Sequence, residues 1–495
     1  MSDLQADAKP TTIIVFGASG DLTSRKLIPS LLSLYRKRRL PERLNIVGFS
    51  RTDYSHDAFR EHLREGAQEF AAETFDADAW DAFAAHIWYS RGDSEVAADY
   101  DKLAAFAAQL EGGRCAACGP ANRLYYLATM PELFPTVAQR LGAADMTEER
   151  DGWRRIVVEK PFGEDLPSAQ ALNQALHAAF DERQIFRMDH YLGKETAQNV
   201  LFFRFGNAIF EPIWNRNYVD NVQISALEDV DVGHRAGYYD RAGVFRDMFQ
   251  NHLLQLLCLV AMEPPASFNA DDVRNEKVKV LSAIPPIDVA DTVRGQYRGY
   301  CETQGVAADS RTPTYGALKL HVDNWRWHGV PFYVRSGKAL ASKITEIIVE
   351  FHCPPHWMFG LEPFTPNLLS LAIQPDEGIR LKFQAKVPEK AVETRPVDLA
   401  FHYQTYFCCE PLPDAYEPLL VDVLKGDASL FPRRDAIEAA WRLMDPVIAG
   451  LEQPGAPPLL TYERGAEGPI EADELLAFDG RCWRYGGDEH GAPRK

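Results

Sequence analysis

Between Asp189 and Lys194 a carboxylate, an imidazole, a phenol and an ammonium fall within six residues. His190, Tyr191 and Lys194 can donate to a phosphate, while Asp189 can accept a hydrogen bond and orient a base. A solvated polar loop would read the same way. Lys160 is a second candidate, because it ends the apolar run Ile156-Val157-Val158, and the carboxyl ends of parallel strands border ligand crevices. Pro161 biases that lysine toward extended backbone; a plain surface lysine is the alternative. The third candidate is His252, on the apolar face that Phe245, Met248, Phe249, Leu253, Leu256, Leu257 and Val260 form along a helix from Val244 to Met262. A histidine there is either a hydrogen-bonded core residue or, held neutral beside a carboxylate, the base that proton abstraction near neutral pH requires. Arg246 and Asp247 open the same helix.

The fourth signal is a glycine turn. Thr12-Ile13-Ile14-Val15-Phe16 reads as a buried strand, and Gly17-Ala18-Ser19-Gly20 with Asp21 and Leu22 leads into a helix. Backbone N–H groups at such a helix start can approach a pyrophosphate. The usual spacing is G-x-G-x-x-G; here Ser19 replaces the second glycine and Leu22 stands at the third, so the turn also suits a chain reversal alone. After the second strand, Leu44 to Phe49, the chain reads Ser50-Arg51-Thr52-Asp53. An NAD site would place a carboxylate at that strand end for the ribose 2′-hydroxyl, whereas the Arg51 guanidinium suits a 2′-phosphate, which favours NADP. Asp53 keeps NAD as an alternative acceptor, and Arg51 as a simple surface residue stays open.

The elements that must position these groups follow from periodicity. Strands at 12–16, 44–49, 86–89, 124–127 and 156–158 alternate with helical stretches, an alanine-rich one among them, and predict an α/β Rossmann-like domain over 1–198. After about residue 200 the pattern becomes period two. Ile379, Leu381, Phe383, Ala385 and Val387 alternate with Arg380, Lys382, Gln384 and Lys386, and similar alternation runs through 222–226, 318–322, 347–351 and 397–403. This predicts an α+β domain over 199–495 with a large, mostly antiparallel sheet, one face wet, and helices at about 240–262 and 435–451. The 495 residues carry 53 Lys+Arg against 71 Asp+Glu, a net charge of −18, which argues against a general nucleic-acid binder. The first ten residues lack the apolar core of a secretory signal, and the ten-residue run Leu253–Met262 is about half a bilayer crossing, so a cytoplasmic, membrane-free protein is expected. Cys115 and Cys118 form a CxxC without a second pair, Cys408 and Cys409 are adjacent on a predicted strand, and no metal site is expected. No zinc-protease, nucleophile-elbow or Walker pattern occurs.

Taken together, these stretches resemble the glucose-6-phosphate dehydrogenase family. The resemblance rests on Gly17 to Leu22, Glu159-Lys160-Pro161-Phe162-Gly163, Arg187 to Glu195, Arg246 to Leu254, Val293 to Tyr297 and Pro331 to Lys338. It implies oxidation of glucose 6-phosphate at C1 to 6-phosphogluconolactone, with NADP+ as hydride acceptor, the first step of the pentose phosphate pathway. By the same resemblance His252 is the general base and Asp189 orients its ring. His190, Tyr191 and Lys194 correspond to the phosphate clamp, Glu228 and Asp247 to sugar-hydroxyl ligands, and Lys338 and Lys343 to further basic substrate contacts. Lys160 would touch both ligands; Gly17, Ala18, Ser19, Gly20, Asp21, Leu22, Arg51 and Tyr126 would hold the cofactor. Thr23-Ser24 depart from the Ala-Lys of many relatives, and Ala341 to Thr345 depart from those with a second, structural NADP site, which is not expected here. Subunit pairing through the C-terminal sheet would give a homodimer or homotetramer. The alternatives are another NAD(P)-dependent sugar oxidoreductase of this architecture, against which the phosphate clamp speaks, and a non-catalytic NADP-sensing regulator, against which His252 and Asp189 speak.

Overall fold

Thr11–Phe16 (β1) and Leu44–Ser50 (β2) are apolar on both faces and are buried almost throughout. They pair in parallel, and Ile87–Arg91 (β3), Asn122–Leu127 (β4), Arg154–Glu159 (β5) and Ile185–Met188 (β6) complete a six-stranded sheet. Its order is β3-β2-β1-β4-β5-β6, with every neighbour parallel. The strand order reverses at β1, so a crevice opens beyond the carboxyl ends of β1 and β4, where doubly wound sheets bind ligands. The expected strands are all present, and β6 is an addition.

The computed structural model describes residues 9–72, 75–113, 121–150, 152–356, 365–390, 393–407 and 412–486. Cys115, Cys118, Cys408 and Cys409 lie outside the described residues. The chain forms two compact units, the first comprising Met1–Gly193 with Ser267–Arg274 and Pro413–Glu438. The second comprises Lys194–Ala266, Asn275–Leu412 and Ala439–Lys495. The change of pattern near residue 200 falls close to the first break, but two later segments, which periodicity does not flag, cluster with the first unit. Among the described residues, no helix is long and apolar enough to cross a membrane.

Among the described residues the second unit is built on nine strands. Val219–Leu227 (β7), Thr292–Tyr297 (β8), Tyr315–His321 (β9), Pro331–Gly337 (β10), Ile344–Phe351 (β11), Leu368–Gln374 (β12), Gly378–Lys386 (β13), Thr394–His402 (β14) and Leu459–Tyr462 (β15) lie in the order β14-β13-β12-β11-β7-β10-β9-β8-β15. Only the β7–β10 and β8–β15 pairs are parallel. The alternation of β13 does not translate into one dry face, since almost every residue of β13 is half-buried and most of β14 is exposed.

The expected helix at Val244–Met262 is interrupted. A helix at Ala236–Val244 contains Gly243 at φ 64°, Phe245–Leu253 is π-helical, and α-helix resumes at Leu254–Ala261. Apart from half-buried Arg246 the stretch is buried on all sides, so it has no wet face. Phe245 and Phe249 lie directly on Gly316 of β9, where a Cβ would stand 3.0 Å from the Phe245 ring, so a glycine lets the segment seat.

Candidate functional site

In the first unit the candidate groups collect at the carboxyl ends of the parallel strands. Gly17 leaves β1 with φ 79°, and a Cβ there would lie 2.4 Å from the Ala128 carbonyl oxygen. Only glycine meets both demands. The turn closes with Gly17 N donating to Phe49 O at 3.0 Å and Gly20 N donating to Gly17 O at 2.9 Å. Ser19, in place of the second glycine, accepts hydrogen bonds from Ser50 Oγ and Thr52 Oγ1, each at 3.1 Å, and so ties the turn to the end of β2. Helix begins at Asp21, which pairs with Arg25 at 2.6 Å. Thr23 and Ser24 are buried, and a Cβ on Gly66 would stand 2.8 Å from Ser24 Cβ, so this departure from relatives is matched by close helix packing. The bare backbone cradle and the helix start fit a dinucleotide pyrophosphate.

Arg51 is exposed beyond β2, and its side chain bonds to none of the described residues. Its neighbours are fixed: Tyr89 Oη donates to Ser50 O at 2.9 Å and Thr52 O at 2.5 Å, and Asp53 pairs with Arg91 at 3.2 Å. The guanidinium is thus carried on a braced turn beside the glycine loop.

β5 and β6 are neighbours, with Glu159 opposite Met188, so Lys160 and Asp189 leave the sheet side by side. Asp189 is buried, and its Oδ1 accepts from Tyr191 N at 3.0 Å. Leu192 N donates to Asp189 O at 3.0 Å, which folds the string into a tight turn. His190 stacks at 6.4 Å on Tyr416, and a Cβ on Gly193 would strike Ala415 O at 2.0 Å, so this turn is pressed against the 413–438 segment. Tyr126 is fully buried, and its hydroxyl donates to Glu159 Oε1 at 2.5 Å. Its phenol is therefore committed to the strand interior, in place of the open contact with cofactor expected of it. Sequence reasoning passed over Glu159 itself. Burial pushes this carboxyl up to about 7, against the pull of hydrogen bonds from Tyr126 and Tyr416 and the charge of Lys160. The only signal available was its place in Glu-Lys-Pro.

In the second unit, Glu228 and Lys338 directly follow the parallel neighbours β7 and β10, which brings them to the same sheet end. They form an ion pair, and Glu228 N donates to Gly337 O at 2.9 Å. Lys338 Nζ lies 5.2 Å from the Tyr239 ring centre. Burial, and then Asp247 and Glu228 among its neighbours, hold the Tyr239 phenol well above its ordinary value, so all three predicted polar residues gather around that ring. Asp247 and His252 share the π-helical segment, His252 being fully buried. In an α-helix residues five apart point roughly 140° away from each other. The wider i→i+5 repeat brings them nearer one side. Lys194 donates to Gln374 Oε1. Lys343 lines a cavity of about 720 Å³ with Gln374, Arg380, His402 and Tyr485.

A parallel sheet in this order, opening on a glycine turn and a helix start, defines the first unit as a dinucleotide-binding domain, and the chain as an oxidoreductase of the nicotinamide-dependent class. The sequence model described as glucose-6-phosphate dehydrogenase, NAD binding domain, matches residues 14–199, and that described as glucose-6-phosphate dehydrogenase, C-terminal domain, matches 201–484. The chain belongs to the glucose-6-phosphate dehydrogenase family. It is 43 % identical over 491 residues to the glucose-6-phosphate 1-dehydrogenase of Aggregatibacter actinomycetemcomitans, covering 96 % of this chain and 98 % of the relative. The Mycolicibacterium smegmatis enzyme of that name is 42 % identical, covering 98 % of this chain and all of the relative. A structure of glucose-6-phosphate dehydrogenase in complex with glucose 6-phosphate superposes with a TM-score of 0.90 at 36 % identity, covering 96 % of this chain and 99 % of that one. The Mycobacterium avium enzyme gives 0.83 at 37 % identity, covering 97 % and 99 %.

Proposed function

We propose that this protein oxidises D-glucose 6-phosphate at C1 to 6-phospho-D-glucono-1,5-lactone, as a cytoplasmic homo-oligomer at the first step of the pentose phosphate pathway. The observation that carries the reading is likeness to a substrate-bound family structure along 96 % of the chain. Bound NADP+ supplies the hydride acceptor. The chain binds, orients and takes a proton. Hydride leaves C1 only as the C1 oxygen becomes a carbonyl, so a base must remove the hydroxyl proton while the ring is held still. His252 takes that proton, with Asp189 as the acid that orients it. His190, Tyr191 and Lys194 hold the phosphate, and Lys194 exchanges its Gln374 partner for it. Glu228 and Asp247 accept from sugar hydroxyls, while Lys338 and Lys343 add basic contacts.

For the cofactor, Gly17 to Leu22 cradle the pyrophosphate, Lys160 reaches toward both ligands, and Arg51 meets the 2′-phosphate with a guanidinium that no side chain of the described residues neutralises. NAD+ lacks that phosphate and remains the weaker acceptor. Initial rates at 340 nm with glucose 6-phosphate or free glucose, and with NADP+ or NAD+, test the whole reading. Free glucose turned over as well as its 6-phosphate would favour a general sugar oxidoreductase, and no turnover with either would favour a silent regulator. Arg51→Ala is expected to lower the NADP+-over-NAD+ preference in kcat/KM roughly tenfold, the scale of one charge-assisted phosphate contact. An unchanged ratio removes Arg51 from the site.

A further inference from the structure

A second cavity, of about 420 Å³, lies wholly within the second unit and is lined by four arginines, Arg241, Arg246, Arg294 and Arg311, with Asp240 and Glu452. Neither acid forms an ion pair with Arg241, Arg294 or Arg311. Asp240 is occupied elsewhere, accepting from Tyr300 Oη at 3.0 Å, Ala307 N at 3.2 Å and Ser310 Oγ at 2.5 Å. Glu452 forms no ion pair with the described residues and acts on Arg294 only through its field. Arg241 and Arg311 are exposed, and their side chains bond to none of the described residues.

Arg294 is only 7 % exposed, yet of its guanidinium only Nε is hydrogen-bonded, donating to Pro457 O at 3.0 Å. Its two terminal nitrogens make no hydrogen bond to the described residues. Burial, and then the charge of Arg311, push its pKa down, against the smaller opposing field of Glu452. In a chain of net charge −18 this concentration of arginines is not a general surface property. A buried guanidinium with both terminal nitrogens unbonded among the described residues, flanked by exposed Arg241 and Arg311, matches a phosphate group in geometry and charge.

Two of the arginines also bracket a break in the backbone. Arg241 precedes Gly243, whose φ 64° and ψ 173° break the helix, and Arg246 follows it at the start of the π-helical segment. We propose that this pocket binds a phosphate-bearing polyanion of pyrophosphate size, distinct from substrate and cofactor, and that the bound anion clamps the break at Gly243. The assignment of His252 as base is not needed for it.

Inorganic pyrophosphate at fixed ionic strength is the probe, titrated calorimetrically into the full-length protein, alone and with saturating glucose 6-phosphate or saturating NADP+. One site per chain that persists under both, with an unfolding midpoint that climbs with pyrophosphate concentration, is expected. R241Q/R311Q, changed at two exposed positions, should weaken binding roughly tenfold or more and leave the glucose 6-phosphate KM unchanged. R294K, which keeps the charge and loses the fork, should weaken it as well. No binding at millimolar pyrophosphate, displacement by glucose 6-phosphate or NADP+, or full affinity in R241Q/R311Q would overturn the proposal.

Discussion

His252 and Glu159 are both buried titratable groups, and they call for different tests. His252→Asn keeps a polar planar side chain but cannot accept the proton. Turnover should fall by roughly 10² to 10⁴, the usual worth of a general base, with glucose 6-phosphate affinity nearly intact. Matched losses in affinity and rate would instead mark a packing role. Glu159 is read through stability. Its carboxyl holds a proton to about pH 7 in the folded chain and to about 4.5 when unfolded. The folded state therefore binds the extra proton between those values, and the contribution to stability is full below pH 4.5 and lost as pH rises to 7. Glu159→Gln removes the titration. Relative to wild type the variant should gain stability from pH 5 to pH 8, by roughly 3 kcal/mol at most, from a shift of about 2.5 units. Thermal unfolding of the two proteins in parallel across that range measures it, and a constant gap would mean the carboxyl does not titrate there.

At the level of elements the glycine turn gives the sharpest prediction. Gly17→Ala must place a methyl 2.4 Å from Ala128 O on a backbone at φ 79°, so the turn has to open. Strain of about 1–3 kcal/mol falls on the loop that would cradle the cofactor, so its KM should rise roughly tenfold or more while that for glucose 6-phosphate changes little. Equal effects on both constants would mean the turn is only a fold element. The same scale explains what could be read in advance. β1 and β2 were legible because a strand buried on both faces is a continuous apolar run. β6 was not, since Arg187 sits in its middle, 1 % exposed, satisfied by Glu182 at 2.7 Å and Asn173 at 2.9 Å. A buried, fully paired arginine looks like a surface residue in sequence. The Asp189 to Lys194 cluster was legible because its donors are adjacent. The Glu159 pocket was hidden because its phenols arrive from Tyr126 and Tyr416, far along the chain. The π-helical turn escaped because residues buried on every side carry no periodicity to measure.

For the molecule as a whole, the open question of assembly turns on the end of the second sheet. On one face of β13 and β14, Ile379, Leu381 and Phe383 oppose Phe401, Leu399 and Val397. Leu399 is 61 % exposed, and the adjoining Tyr406 and Phe407 are 66 % and 71 % exposed. Period-two alternation predicted an apolar face here, and that face is present, half-buried along β13 and more exposed along β14. Apolar area of this kind gains about 25 cal/mol per Å² when removed from water. Two chains of charge −18 repel each other, but salt screens that repulsion beyond about 8 Å, so a contact through this face can prevail. Among the described residues β14 also ends the sheet and so presents an unpaired edge. A second copy joined through β13 and β14 would cover both. Leu399→Asp places a charge at the centre of that face and leaves the interior of each unit untouched. Sedimentation at micromolar concentration should show wild type as a dimer or larger and the variant shifted to monomer, with its far-ultraviolet circular dichroism unchanged. A wild-type monomer, or a variant that sediments as wild type does, would send the assembly surface elsewhere.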